Sequence, residues 1–331
     1  MAELIKTAPE IEGGSGGRKV SKLEQRILEA FEKPLVLMLV VGSFLAVSTV
    51  FAKSAPSLGW HPLALLQWSI LGGALGLFLA TRLVGRARGA RVREQNGSTH
   101  KQLLTYLVVT GLLFIAPNMI AVVAAPKVGA GFVSLCFAFP LVLTYAIAVA
   151  LRLELLTVLM GSGVLLGVAG GVLLAVSGAD LSADASLWSV IALLIPVFLA
   201  AGNIYRTWKW PKGARPVDLA LGMMAVGFVA LTLFTVAWGI PIVPASWTYP
   251  AVGLLVAQMT VFGLQYGLYF RLQQTAGPVY LSQIGSVAAV MGLGLGFLVF
   301  DEIPNEAKIA AVVFVAAGIV LVTLGRKRNM T

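Results

Sequence analysis

Residues 129–170 read GAGFVSLCFAFPLVLTYAIAVALRLELLTVLMGSGVLLGVAG, and residues 277–318 read GPVYLSQIGSVAAVMGLGLGFLVFDEIPNEAKIAAVVFVAAG. Each stretch opens on a glycine and runs as an apolar span into a short polar hinge with a glutamate. Each then continues as a second apolar span to another glycine. Gly129 matches Gly277, Glu154 matches Glu302 and Gly170 matches Gly318, always 148 residues apart. Duplicated membrane halves of this kind mark a transporter with its site between the halves.

The composition agrees with a membrane protein. Hydrophobic residues make up 58% of the 331-residue chain and charged residues 11%; a soluble domain carries about 25% charged residues. No acid lies between Glu32 and Glu94, or between Glu94 and Glu154. The net charge of +10 does not point to nucleic acid, because the bases flank apolar spans rather than forming a basic domain. One cysteine, Cys136, and two histidines, His61 and His100, allow neither a disulfide framework nor a metal quartet. No cofactor is expected, and no histidine within a span is placed to activate a serine or Cys136, so an enzyme is not expected.

A span needs about 20 apolar residues to cross the hydrocarbon. Ten such spans are predicted, at about 35–52, 62–83, 102–124, 128–150, 155–177, 187–205, 217–239, 249–270, 276–299 and 305–324. The fold class is therefore all-α integral membrane, with ten helices as two five-helix repeats around a central cavity. The repeats cover 34–178 and 179–325. They follow a cytoplasmic segment, 1–33, with an amphipathic helix over 21–33 that rests on lipid headgroups. A basic cytoplasmic tail, 326–331, closes the chain. With the N-terminus in the cytoplasm, only Lys53, Lys127 and Lys308 of the 24 Lys and Arg fall outside. This split predicts a multi-pass protein of the inner membrane with both termini cytoplasmic. An odd number of spans per repeat turns the second half upside down, the geometry of alternating access.

Polar residues within spans are costly in lipid and face cavities. Span 3 is expected to break at Pro117-Asn118, and the matching positions in span 8 are Gln265 and Tyr266. A polar break at corresponding places in both halves points to a binding site. Gln258 and Phe262 precede Gln265 on one helix face. Asn203, Gln283 and Trp68 complete the candidate substrate-binding set. Pro117, Pro140, Glu154 and Glu302 are candidate hinge or gate residues. Glycines spaced four apart (Gly163, Gly167, Gly171; Gly72, Gly76; Gly292, Gly296) predict close helix packing. Trp60 and Trp247 sit at span ends, where aromatic belts form.

The chain resembles the drug/metabolite transporter superfamily in its ten-helix, EamA-like bacterial form. The resemblance rests on Gly42 to Lys53 (GSFLAVSTVFAK), Pro62 opening span 2, Val128 to Leu174 with Pro140 and Glu154, and Gly277 to Val322 with Glu302. It implies a basket of helices around a central cavity that carries small metabolites, often outward. Many members carry an arginine about seven residues after the proline that opens span 2. Ser69 stands there in this chain. With no carboxylate at mid-membrane and a cavity of amides, hydroxyls and aromatics, the expected cargo is an amino acid or similar neutral or zwitterionic compound. A lipophilic or quaternary cation held by aromatic faces is the alternative. A receptor or scaffold that does not transport is the alternative of another class. The expected partners are a small metabolite, the lipid bilayer and, as an open question, a second copy in a homodimer; nucleic acid is not expected.

Overall fold

A computed structural model describes residues 34–87, 100–150, 157–176, 183–303 and 305–330. Every regular element among them is helical: α1 Pro34–Ser54, α2 Pro62–Ala87, α3 His100–Val128, α4 Ala130–Cys136, α5 Pro140–Ala150, α6 Val158–Val176, α7 Ala183–Ala192, α8 Leu194–Trp208, α9 Pro216–Ala237, α10 Tyr249–Phe300 and α11 Glu306–Met330, with a short 3-10 turn at Pro56–Leu58. Seven segments among the described residues are long and apolar enough to cross a membrane, and Ala130–Tyr145 and Val158–Gly170 are shorter apolar stretches. The chain is a multi-pass membrane protein built of helices. The helix expected at 21–33, the hinge residue Glu154 and the boundary between 178 and 179 lie outside the described residues. Helix α11 runs through most of the expected basic tail, to Met330.

Two expected spans are each divided. The span at 128–150 is α4 and α5, parted by a turn at 137–139. The span at 187–205 starts earlier, at Ala183, and is α7 and α8, parted at Leu193. Both breaks have one cause. Pro140 and Pro196 lack an N–H, and each ring presses on the carbonyl four residues back, that of Cys136 or Ala192, where the preceding helix ends. Pro117 behaves differently: α3 continues through it, against the expected interruption. Asn118 stays in the helix and turns its Nδ2 back to the Phe114 carbonyl at 2.7 Å. The carbonyl that Pro117 leaves without its usual N–H partner is that of Leu113, one residue earlier, so the helix continues past the loss of that bond.

The spans expected at 249–270 and 276–299 share one 52-residue helical stretch, α10. A straight helix of that length would be about 78 Å long. It is not straight. Leu272 and Leu281 both pack with Leu37 at the start of α1. Ala251 packs with Ala55 just past the other end of α1, and Glu302, just past the end of α10, meets Lys53. The chain therefore reverses between Leu272 and Leu281, where Gly277 and Pro278 lie, and its two limbs flank α1 in opposite directions.

These contacts define two ends of the bundle. One end holds Lys53 with Glu302, Lys127 with Asp184, and Lys308 beside Glu302. The other holds Arg206, Lys209, Lys212 and Arg215 around the α8–α9 connection, with Arg82 and Arg271. The described bases thus divide between the ends as the sequence pattern divides them.

Glycine sets the closest approaches. Helices α6 and α11 run antiparallel, with Gly170 against Ala311 and Val315 and Gly318 against Gly163 and Gly167. These contacts are reciprocal, since adding 148 to 170, 163 and 167 gives 318, 311 and 315. Gly285 lies against the Phe137 carbonyl, where any Cβ would overlap it, and these two positions are themselves 148 apart. Gly76, by contrast, meets nothing within 4 Å. Trp60 is no belt residue: it is buried, and its indole N–H donates to the Ala251 carbonyl at 3.0 Å.

Candidate functional site

The central cavity lies among α1, α3, α8, α9 and both limbs of α10. Its volume is about 50 Å³, and its walls include Val41, Phe114, Pro117, Asn118, Phe137, Arg206, Gln265, Tyr266 and Tyr269. That is room for a few waters.

Asn118 reaches the cavity because it follows Pro117 on α3, and Tyr266 because it lies on the first limb of α10, across from it. Their side chains touch: Asn118 Nδ2 donates to the Tyr266 hydroxyl at 3.3 Å, and the hydroxyl lies 3.4 Å from Asn118 Oδ1. The two positions are 148 residues apart, so matched positions in the two stretches meet here as Phe137 and Gly285 do. Phe114 packs edge-on to Tyr266 at 4.8 Å, and Phe262 lies behind it at 5.4 Å. Gln265 accepts from the Ser48 hydroxyl at 3.5 Å, a long contact.

Asn203 joins the site through Arg206, one of the bases that the sequence count places on the cytoplasmic side. Arg206 is 3% exposed. Its Nη2 donates to Asn203 Oδ1 and to the Tyr269 hydroxyl, each at 2.8 Å, and that hydroxyl donates to the same Oδ1 at 2.8 Å. The guanidinium lies over the Tyr269 ring, 5.4 Å from its centroid, and folds back onto Gly202, where an added Cβ would come within 3.1 Å of it. Its Nε is buried without a partner. Among the described residues no carboxylate pairs with it. The spacing of Asn203 and Arg206 was the available signal, because residues three apart share a helix face.

Three candidates lie away from the cavity. Trp68 donates its indole N–H to the Ile242 carbonyl at 2.7 Å, at the end of the bundle opposite Arg206. Gln258 is buried with an unpartnered Oε1 and does not line the cavity. Gln283 is half-buried on the second limb of α10 and does not line it either. Gln67, next to Trp68, bonds Thr232 and Thr235 of α9, each at 3.1 Å, and joins helices.

Glu302 sits at the other end of the bundle. Its carboxylate accepts from Lys53 Nζ at 2.5 Å and from the amides of Ala130 and Gly131 at 2.8 and 3.0 Å. Gly129, at φ 97°, turns the chain so that those two amides face the carboxylate. The Lys53 ammonium also lies 4.2 Å from the centroid of the Phe300 ring. The cluster ties α1, the start of α4 and the end of α10 together. Pro140 acts through the break before α5, which seats Phe137 against Gly285.

No family model matches the chain, and no curated protein matches it. A solved structure described only as a crystal structure of a protein is similar, with a TM-score of 0.59 at 14% sequence identity. The likeness covers 88% of this chain and 97% of that one. At such identity it speaks for the fold alone.

Proposed function

We propose that the protein is a transporter of small polar organic molecules, of the drug/metabolite type and EamA-like. It works by alternating access between two inverted five-helix repeats, with ten crossings in all, in the inner membrane and with both termini in the cytoplasm. One observation carries the reading: Asn118 and Tyr266, at matched positions, hydrogen-bond at the central cavity. In an inverted repeat, positions beside the pseudo-two-fold axis meet their own counterparts, and contacts away from it come in reciprocal pairs. The reciprocal packing of α6 and α11 supports the same axis. The sorting of bases between the two ends supports the orientation.

The carriage itself follows from the two ends. At one, Lys53, Glu302 and the α4 amides hold α1, α4 and α10 closed over the cavity. At the other, the Arg206 cluster faces it. Opening one end while the other stays tied exposes the same amides and aromatics to alternate sides. Arg206, a buried cation, weighs against the quaternary-cation cargo that the aromatic walls alone would allow. The test is exchange of labelled amino acids and organic acids across reconstituted proteoliposomes. Saturable exchange above protein-free liposomes, reduced in Asn118→Leu, is expected. A folded protein that exchanges none of them would be a scaffold or receptor.

A further inference from the structure

We infer that Arg206 is the anchor for a carboxylate on the cargo, and therefore that the transported class is organic carboxylates, amino acids included. This rests on the transport reading above and names its substrate class.

A guanidinium in a protein interior is ordinarily matched by an acid, because an unpaired buried charge is costly. Among the described residues, Arg206 is met only by neutral oxygens, the Asn203 amide and the Tyr269 hydroxyl, and both act on Nη2. Nε is buried with no partner among the described residues. The side chain lines the cavity beside Asn118, Gln265 and Tyr266. Packing alone does not account for a charge kept there. A carboxylate matches it in charge and in shape, since it accepts two parallel N–H bonds from one edge of the fork. It takes the free Nε–H and displaces a neutral oxygen from the parallel Nη2–H. Asn203 and Tyr269 hold the fork in place before the cargo arrives, which lowers the ordering cost of binding. One base in the cavity wall matches one negative charge, so a monoanionic group fits better than a phosphate dianion. The remaining wall is mostly apolar, aliphatic and aromatic, with the Asn118 and Gln265 amides, and carries the rest of the molecule.

The experiment is binding to the purified full chain, followed by thermal shift and calorimetry, with four probes that share a phenyl ring suited to the Phe114 and Tyr266 wall. The probes are phenylacetate, phenylacetamide, phenethylammonium and phenyl phosphate. Phenylacetate is expected to bind, and phenylacetamide to bind about tenfold more weakly or worse, the loss of charge-assisted hydrogen bonds. Arg206→Gln should erase that difference between acid and amide. Arg206→Lys, which keeps the charge without the fork, should retain part of it, and Tyr269→Phe should keep phenylacetate binding. The acid-to-amide comparison needs no variant, so it decides even if Arg206→Gln fails to fold. Equal binding of acid and amide, preference for phenyl phosphate, or unchanged phenylacetate binding in folded Arg206→Gln overturns the inference. Binding of phenethylammonium or phenylacetamide in place of phenylacetate also overturns it but leaves the transport reading standing. No binding of any probe at about 10 mM, a range that captures Kd values near 1 mM, overturns it too. The absence of exchange in proteoliposomes as well would remove both readings.

Discussion

Each end of the bundle holds a basic side chain, Lys53 half-buried and Arg206 buried, and the two are treated in opposite ways. Lys53 is met by the Glu302 carboxylate, which two α4 amides also hold. Arg206 is met by an amide oxygen and a phenol, and by no acid among the described residues. A charge paired with a charge ties helices together. A charge held by neutral groups is poised for an anion that comes from elsewhere. On the proposal above, the first end is a latch and the second receives the cargo.

The largest expected effect tests the latch. Glu302→Ala removes the partner of Lys53 and leaves two amides and an ammonium without their acceptor, so it should cost about 2–4 kcal/mol. Thermal unfolding in detergent would read this, and an unchanged midpoint would mean the cluster ties nothing together. A similar loss is expected from Gly318→Leu, because a leucine there would be driven into Gly163 and Gly167 and disrupt the α6–α11 contact. Normal expression and stability of that variant would break the case for close reciprocal packing. Arg206→Leu supplies the contrast. It removes a cation that lacks an acid, so stability should change by no more than about 1 kcal/mol in either direction. A loss as large as that of Glu302→Ala would make Arg206 a structural tie and erase the difference between the ends.

How far these features could be read from sequence depends on what each one rests on. The apolar spans and the sorting of bases follow from water and lipid, which act on composition, so both were legible. The breaks before Pro140 and Pro196 were readable in principle, since a proline ring disturbs the carbonyl four residues earlier. They were missed because hydropathy alone runs straight across them. Pro117 shows why that rule is not enough: the helix continues through the same disturbance. Asn118 and Tyr266 were legible as matched positions, but their contact was not, since the offset says nothing about distance. The burial of Arg206 was not legible, because a count of bases by side says nothing about whether one near a span end is solvated. Only tertiary packing, with Gly202 beneath it and Tyr269 across from it, reveals that it is buried. Trp68 was misplaced for the converse reason: its indole N–H found a backbone carbonyl outside the cavity.

The smallest expected effect lies in a loop at the latch end. Burial lowers the pKa of His61 from its usual 6.5, and its Nδ1 lies 3.3 Å from the Leu63 amide as an acceptor. A neutral folded-state histidine contributes stability that is full above pH 6.5 and is lost as pH falls through the lower folded value, because the unfolded chain takes up the proton first. The unfolding midpoint of the wild type should therefore fall below pH 6.5 more steeply than that of His61→Gln. Parallel curves would place the pH response elsewhere.

The most direct test of the account asks whether the cavity opens to both sides and whether the latch controls one of them. In a Cys136→Ala background, Asn118→Cys reports access to the cavity, while Lys53→Cys with Glu302→Cys allows the latch to be locked by a short bifunctional thiol cross-linker applied before the reporter is read. Labelling by an impermeant maleimide is then compared in right-side-out and inside-out vesicles. Position 118 is expected to react from both sides when the latch is free and only from the Arg206 side when it is locked. Reaction from a single side in both states, or no effect of locking, would contradict alternating access through this cavity.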